Sequence, residues 1–470
     1  MSFNIINDKI KLVKTNLIKE GIKSMDIKRE YKKKTIEISQ ERELDLFDLA
    51  VSIINNNVIG NNSYMIYENE DEISLGIGEY IGIEVYKNKI LLTQEGHSVE
   101  YVVNDLSEDI KKIFNELNFD DWRMYGIADF NYAKNTFLKN VSDKEVLMKL
   151  FIPRTDIRIL KDSLEIKTID NFDEIILNFD TERFDLEDKD FNVNLEEVKN
   201  LDGDYYKEIV KKAIGEIKND KYDKVILSRK INLEKKISIK DSYLKGRKFN
   251  TPARSYCFRI GDLEAVGFSP ETVVEVDKKR QVYTFPLAGT RALTNDLAIN
   301  KELKRELLKD PKEIAEHAVS VKLAFQELER VCDEDSISVI RFMDVLERGT
   351  VQHLASRLKG TLRKEFNEWH AFTALFPAVT ASGIPKKECI EAIDRIEKDK
   401  RGIYSGGVLT YDKNGTLDVA LALRTAYQTS AETWIRVGAG IVKLSNCKRE
   451  LEETKEKSGS ILDELVFEEE

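Results

Sequence analysis

"GIYSGGVLTYDKNGTLDVALALRTAYQTSAETWIRVGAGIVKLSNCKRELEETKEKSGS", residues 402–460, carries three strand-like runs and then one charged helix. The runs "GIYSGGVLTYD", "LDVALALRTAYQ" and "TWIRVGAGIVKL" are parted by short polar turns. After them comes "NCKRELEETKEKSGS", from Asn446 to Ser460. As a helix it sets Glu450, Glu453 and Lys457 on one face, at steps of three and four. Such a charge run is either a solvated surface or a place where two carboxylates and an ammonium converge on something. Strands in hairpin order closed by a helix point to α+β layering rather than to a doubly wound parallel sheet.

The rest of the chain extends this pattern. The stretch from Ser63, "SYMIYENEDEISLGIGEYIGIEVYKNKILLTQ", reads as strands broken by the polar turns "ENEDE" and "KNK". "DIRILKDSLEIKTI" reads as another hairpin, and residues 44–54, "LDLFDLAVSII", as an amphipathic helix. The composition shifts after "FNVNLEEVKN". This divides the chain into an N-terminal portion, 1–195, and a C-terminal portion, 196–470, in which the motifs lie. There "DYYKEIVKKAIGEI" reads as a helix and "DKVILSRKINL" as a strand. "EAVGFSPETVVEV" and "RQVYTFPLAGTRAL" read as strands, with breaks at Ser269-Pro270 and Ala288-Gly289. A long helix follows Pro311, with its apolar stripe on Ile314, Ala318, Val321, Phe325 and Leu328. Glu313 and Glu316 lie off that stripe, again three residues apart.

Composition narrows the function. With 470 residues, 41% apolar and 34% charged, the chain is long enough for a large core under a charged surface. A net charge of -11 argues against nucleic acid or an anionic membrane as the partner, yet leaves room for a small anionic substrate. No GxGxxG opens a helix and no GxxxxGK[ST] is present, so dinucleotide and P-loop readings lack support. The cysteines, Cys257, Cys332, Cys389 and Cys447, form no CxxC pair or disulfide framework. The histidines, at 97, 317, 353 and 370, form no HExxH, so the metal to expect is a hard cation on carboxylates rather than zinc. No apolar run reaches membrane-span length. The start "MSFNIINDKIKLVKTNLIKEG" lacks the apolar segment of a signal peptide, so a cytosolic chain is expected.

Several segments together carry a resemblance: "DKVILSRK", "VGFSPE", "FPLAGTRA", "KDPKEIAEHAVSV", "VQHLASRLKG", "FPAVTASGIPK", "RGIYSGGV", "ALALRTA", "GAGIV" and "RELEET". In this order the chain resembles the chorismate-utilising enzymes, the family of anthranilate synthase large subunits, isochorismate synthases and salicylate synthases. The motifs span residues 224–457. The resemblance implies one large α+β domain of layered sheets and helices around a deep cleft, a requirement for Mg²⁺, and chorismate as substrate. A monomer is expected. "FPAVTASGIPK", from Phe376 to Lys386, is most similar to the salicylate synthases of siderophore pathways.

The resemblance also assigns residues. Lys224 stands where water-using members carry a lysine base; ammonia-using members lack it, which disfavours an aminating activity. A lysine acts as a base only when neutral; otherwise Lys224 is an ordinary strand-end lysine. Glu271 in "GFSPE" matches the acid, a role that needs an enclosed carboxyl with a raised pKa; the other reading is a turn residue or helix cap. Gly289 and Thr290 line the pocket near the departing hydroxyl, or form a strand bulge. Glu316 and Glu453 match direct Mg²⁺ ligands, with Glu313 and Glu450 beside them, acting directly or through water. Arg424, Tyr404 and Lys457 match residues that hold the substrate carboxylates, and Arg424 alternatively serves a buried ion pair. The amides around Gly438 and Gly440 add donors. His353 matches a pocket histidine, or is a satisfied core residue. The expected activity is a salicylate synthase, turning chorismate through isochorismate into salicylate and pyruvate. The alternatives are an isochorismate synthase that stops halfway and an inactive relative that only binds.

Overall fold

The computed structural model of the chain describes residues 30–38, 45–58, 60, 62–117, 120–177, 194–294, 296–348 and 351–468. The N-terminal stretch read for a leader, and the first residue of the helix expected over 44–54, lie outside them. That helix runs Leu46–Asn57 and starts at Asp45, whose side chain accepts from the amides of Phe47 and Asp48. Among the described residues no helix is long and apolar enough to cross a membrane. The four cysteines are free thiols.

Among the described residues twenty-one strands join in one antiparallel hydrogen-bonded network. Its middle is the pair Ile73–Val85 and Met148–Ile159. Two arms leave this pair. One runs through Arg123–Ala128, Gly407–Asp412, Leu417–Leu421, Thr272–Val276, Gln281–Thr284 and Val351–Thr361, and the last also holds Leu287–Ala292. The other runs through Tyr64–Glu68, Arg254–Ile260, Leu263–Ser269, Thr425–Gln428, Thr433–Val442 and Lys224–Leu233.

The α+β layering follows from side-chain alternation. In Tyr64–Glu68, Tyr64 and Ile66 pack with the helices Leu46–Asn57 and Ile239–Phe249 on the outside. Met65 and Tyr67 point the other way, into a cluster with Phe151 of the middle pair and Tyr125, Val408 and Ala420 from the first arm. Both faces of the strand are covered, which is why its sequence "YMIY" is apolar without a break. Burying each large apolar side chain contributes roughly 1.5–3 kcal/mol.

The chain passes between the arms at two places that matter for function. One is Ser269 to Thr272, the other Leu421 to Thr425. The crossings are tied together: Leu421 N donates to Glu271 O at 3.0 Å, and Phe268 N to Arg424 O at 3.1 Å. The Ser269 hydroxyl donates to Leu421 O at 2.6 Å. Glu271 and Arg424 thus stand side by side where the two arms meet.

One expected break moves. The strand read over "RQVYTFPLAGTRAL" is interrupted at Phe285-Pro286, between Gln281–Thr284 and Leu287–Ala292. Pro286 has no amide to offer a ladder. Gly289 is instead a bulge inside the second strand: the register shifts between Ala288 and Thr290, and Gly289 has φ +79°. The break at Ser269-Pro270 falls where expected.

Candidate active site

A cavity of about 790 Å³ opens between the ends of the two arms. All fourteen residues singled out from the sequence line it: Lys224, Glu271, Gly289, Thr290, Glu313, Glu316, His353, Tyr404, Arg424, Gly438, Gly440, Glu450, Glu453 and Lys457. Nine basic side chains stand against seven acidic ones in the lining, so the cavity is locally positive in a chain of net charge -11.

Two helices bring the carboxylates. Pro311–Glu329 starts at Asp310, whose side chain accepts from Lys312 N, with proline in the first turn. Cys447–Leu462 starts at Asn446, whose side chain accepts from the amides of Lys448 and Arg449. The second helix buries Leu451, Thr454, Ser458 and Ile461, steps of three and four, and so turns Glu450, Glu453 and Lys457 toward the cavity. Burial raises the Glu450 carboxyl, and the Glu453 charge adds to this. Burial also works to raise Glu453, but Lys457 outweighs it and leaves Glu453 lowered.

The four glutamates share the cavity without forming a ligand shell. Among the described residues no three His, Cys, Asp or Glu side chains are gathered as for a metal ion. Three of the four pair with a cation: Glu316 with Lys224 at 2.5 Å, Glu453 with Lys457 at 2.7 Å, Glu313 with Arg291 at 3.4 Å. Lys312 acts on Glu450 and Glu453 across the gap between the helices. The donor set is all hard oxygen and suits Mg²⁺, whose preference for retained waters asks for few protein carboxylates.

Glu271 is 4% exposed. Burial pushes its carboxyl up to about 8; hydrogen bonds from Thr380 and the Leu287 amide, and the charge on Lys224, pull the other way. The Thr380 hydroxyl lies 2.8 and 2.9 Å from the two carboxyl oxygens. Glu271 is therefore protonated at neutral pH, as an acid must be. Lys224 projects from the first residue of its strand, and Gly440 leaves room for it. A Cβ on Gly440 would sit 2.9 Å from Lys224 Cε.

Arg424 is half-buried, and among the described residues no carboxylate pairs with it. Its guanidinium donates to the carbonyl of Arg348 at 3.1 Å and meets His353 Nε2 at 3.0 Å. Burial, and then the charge of Arg348, lower it to about 10. Because arginine only donates, His353 Nε2 accepts, and the ring proton sits on Nδ1, facing Gly289 O at 3.3 Å and Thr290 Oγ1 at 3.1 Å. Burial and the charges of Arg424 and Lys457 push His353 down to about 3, so it stays neutral. It therefore holds Arg424 in place. The non-glycine residue Arg424 also adopts φ +50°, a strained backbone of the kind found at ligand sites.

Gly438 and Gly440 face the cavity for a reason visible in the ladder. The Tyr206 hydroxyl bridges Leu227 O and Ala439 N, each at 3.1 Å, so the Ala439 amide points toward the strand Lys224–Leu233. The flanking Gly438 and Gly440 backbone groups then point away from that strand. Lys457 Nζ donates to Gly438 O at 3.3 Å on that side. A Cβ on Gly438 would also meet the Tyr404 hydroxyl at 2.9 Å.

Sequence reasoning passed over Thr380, although it lies inside "FPAVTASGIPK". It also passed over Arg291, Lys312 and Arg436, all in the cavity wall. A buried acid, a lysine and a guanidinium without a carboxylate partner among the described residues, around one positive cavity, suit a small anionic molecule. The chain belongs to the chorismate binding enzyme family, whose sequence signature matches residues 62–463. It is 43% identical over 261 residues to a salicylate synthase from Mycolicibacterium paratuberculosis, covering 56% of this chain and 58% of that one. It is 36% identical over 262 residues to an anthranilate synthase component 1 from Haloferax volcanii, covering 55% and 50%. The chain thus spans a little over half, or half, of the length of these curated relatives. Its fold is similar to that of MenF, the menaquinone-specific isochorismate synthase of Escherichia coli. That match has a TM-score of 0.69 at 17% identity, over 96% of this chain and 98% of the other.

Proposed function

We propose that the chain is a Mg²⁺-dependent salicylate synthase. One observation carries this reading: a carboxyl held protonated, Glu271, shares a cavity with Lys224 and with Arg424, a half-buried guanidinium that pairs with no carboxylate among the described residues. Chorismate offers the matching features, two carboxylates and a 4-hydroxyl that leaves when water adds at C2. In this reading Lys224 takes a proton from the attacking water, and Glu271 gives one to the departing hydroxyl, yielding isochorismate. A lysine accepts a proton only as the free amine, so its contact with Glu316 opens during the cycle. Arg424 and Tyr404 hold one carboxylate, and the cavity-facing backbone of Gly438 and Gly440 holds the other. Glu316 and Glu453, with Glu313 and Glu450 beside them, would hold Mg²⁺, which neutralises charge and orients a substrate carboxylate.

The second step transfers hydrogen from C2 to the enolpyruvyl methylene while the ether C–O bond breaks, giving salicylate and pyruvate. It needs an enclosed, ordered conformer and no further acid or base. The likeness to a curated salicylate synthase over 261 residues supports this finer reading over isochorismate synthesis. The test is product identity when purified protein meets chorismate and Mg²⁺. Salicylate is followed by fluorescence, pyruvate by a coupled assay and isochorismate by chromatography. Equal salicylate and pyruvate with transient isochorismate is expected. Stoichiometric isochorismate makes the chain an isochorismate synthase, and bound but unchanged chorismate makes it an inactive relative.

A further inference from the structure

Glu397 belongs to none of the residues assigned above. It directly follows the helix Lys386–Ile396, and its side chain is 2% exposed. Oε1 accepts from the Ser228 amide at 2.7 Å, the Ser228 hydroxyl at 2.9 Å and Arg401 at 2.7 Å. Oε2 accepts from Arg401 Nε at 3.0 Å and from Arg436 at 2.6 Å. The two arginines reach further. Arg401 donates to Ala381 O at 2.8 Å, Ile226 O at 2.6 Å and Ser405 Oγ at 3.2 Å. Arg436 donates to Ser228 Oγ at 2.8 Å. Their guanidiniums lie 5.6 and 5.8 Å from the ring of Tyr404.

One carboxylate therefore joins four pieces of the cavity wall. They are the strand carrying Lys224, the short helix Val379–Ser382 carrying Thr380, the turn carrying Tyr404 and the strand carrying Gly438 and Gly440. A buried charge left unpaired is costly, so a cluster satisfied on this scale admits few alternative arrangements. Two guanidiniums against one carboxylate also leave net positive charge beneath the cavity floor.

We propose that Glu397 is a positioning residue of the cavity, setting Lys224, Thr380 and Tyr404 in mutual register through Arg401 and Arg436. The inference rests on reading the cavity as the chorismate site, and the experiment separates the two. Wild type, Glu397→Gln, Glu397→Asp and Arg401→Lys are compared for kcat and KM with chorismate and Mg²⁺, each checked for folding by thermal melting. Misplacement by about 1 Å costs ~10²-fold in rate. Glu397→Gln should lose kcat on that scale with KM nearly unchanged, and Glu397→Asp, which keeps the charge, should recover part of it. A folded Glu397→Gln with wild-type kcat overturns the proposal; so does a loss confined to KM, since that is a charge effect alone. If Glu397→Gln does not fold, Arg401→Lys decides: a tenfold or greater loss of kcat supports positioning, and wild-type kcat overturns it. Amide hydrogen exchange gives a readout free of turnover. Glu397→Gln, or Arg401→Lys in its place, should speed exchange in 224–230, 376–386 and 402–406 together; faster exchange in only one segment overturns the proposal. A wild type that leaves chorismate unchanged breaks the functional reading, while the exchange experiment still judges Glu397.

Discussion

The two walls of the cavity are built on opposite principles. On the helical wall, Glu313, Glu316 and Glu453 each hold a cation of the protein's own, Arg291, Lys224 and Lys457. On the strand wall, Arg424 is fixed by a carbonyl and a neutral imidazole and has no carboxylate among the described residues, while Arg401 and Arg436 are locked to Glu397. The first wall must exchange partners to take up a cation. The second is ready for an anion as it stands. The difference teaches where reorganisation is needed and where it is not: the carboxylate side is self-neutralised, and the guanidinium side is preorganised.

The hardest blow to this contrast falls on the pair that spans it, Lys224 and Glu271. Lys224→Ala and Glu271→Gln should each cut isochorismate formation by ~10²–10⁴-fold, the usual weight of one acid–base group. Either variant, given isochorismate directly, should keep releasing pyruvate, because that step moves no proton through them. Normal chorismate consumption by Lys224→Ala would remove the lysine from the mechanism.

Next comes the self-neutralised wall. Activity should vanish in excess chelator and return with Mg²⁺. Glu453→Gln should fold, yet lose ~10²-fold or more, in keeping with the several kcal/mol a Lewis-acid cation supplies. Titration calorimetry with Mg²⁺ checks the site without turnover, and unchanged metal binding in Glu453→Gln would sink the assignment.

The preorganised wall should respond more mildly. Arg424→Lys keeps the charge but loses the planar fork and the contact with His353. Hydrogen bonds to charged groups contribute about 1.5–3 kcal/mol, so kcat/KM should fall roughly 10–100-fold. His353, being neutral, should add no acidic limb of its own to the pH profile.

Much of this was legible in the sequence, and the parts that were not share a cause. Helices and hairpins announce themselves by local period, and the motif residues gather in one cavity because their strands and helices end there. The Glu397 cluster gives no such signal: Glu397 meets Ser228 across 169 residues and Arg436 across 39. Charged residues in those segments look like surface until the fold buries them. The misread break at Ala288-Gly289 has a local cause. Glycine marks a bulge as readily as a turn, and only the register with Leu354 and His353 distinguishes them. Thr380 was visible but mute, since a threonine in a loop says nothing about which carboxyl it will meet.

Thr380 offers the subtlest test. Glu271 acts as an acid only while protonated, so the share of the protein with a working acid should fall above a pH of about 8 and give the hydration step an alkaline limb. The Thr380 hydroxyl lies within reach of both carboxyl oxygens and donates its one proton to the carboxylate, so it favours the charged form. Thr380→Val removes that donor at nearly constant volume, and the Glu271 carboxyl should rise. The alkaline limb should move to higher pH, with little change in rate on its acidic side. Stability gives an independent reading. A carboxyl raised in the folded state binds its proton more tightly there than in the unfolded chain. Its contribution therefore falls as pH rises from the unfolded value, about 4.5, to about 8, and in Thr380→Val the fall should continue beyond the wild-type limit. The measurement is kcat/KM for chorismate from pH 6 to 10 beside melting temperatures over the same range, with pyruvate release from isochorismate as the control that should show no such limb. A limb that stays in place, or moves to lower pH, would take Thr380 out of contact with the working acid and leave the strand wall to act on the substrate alone.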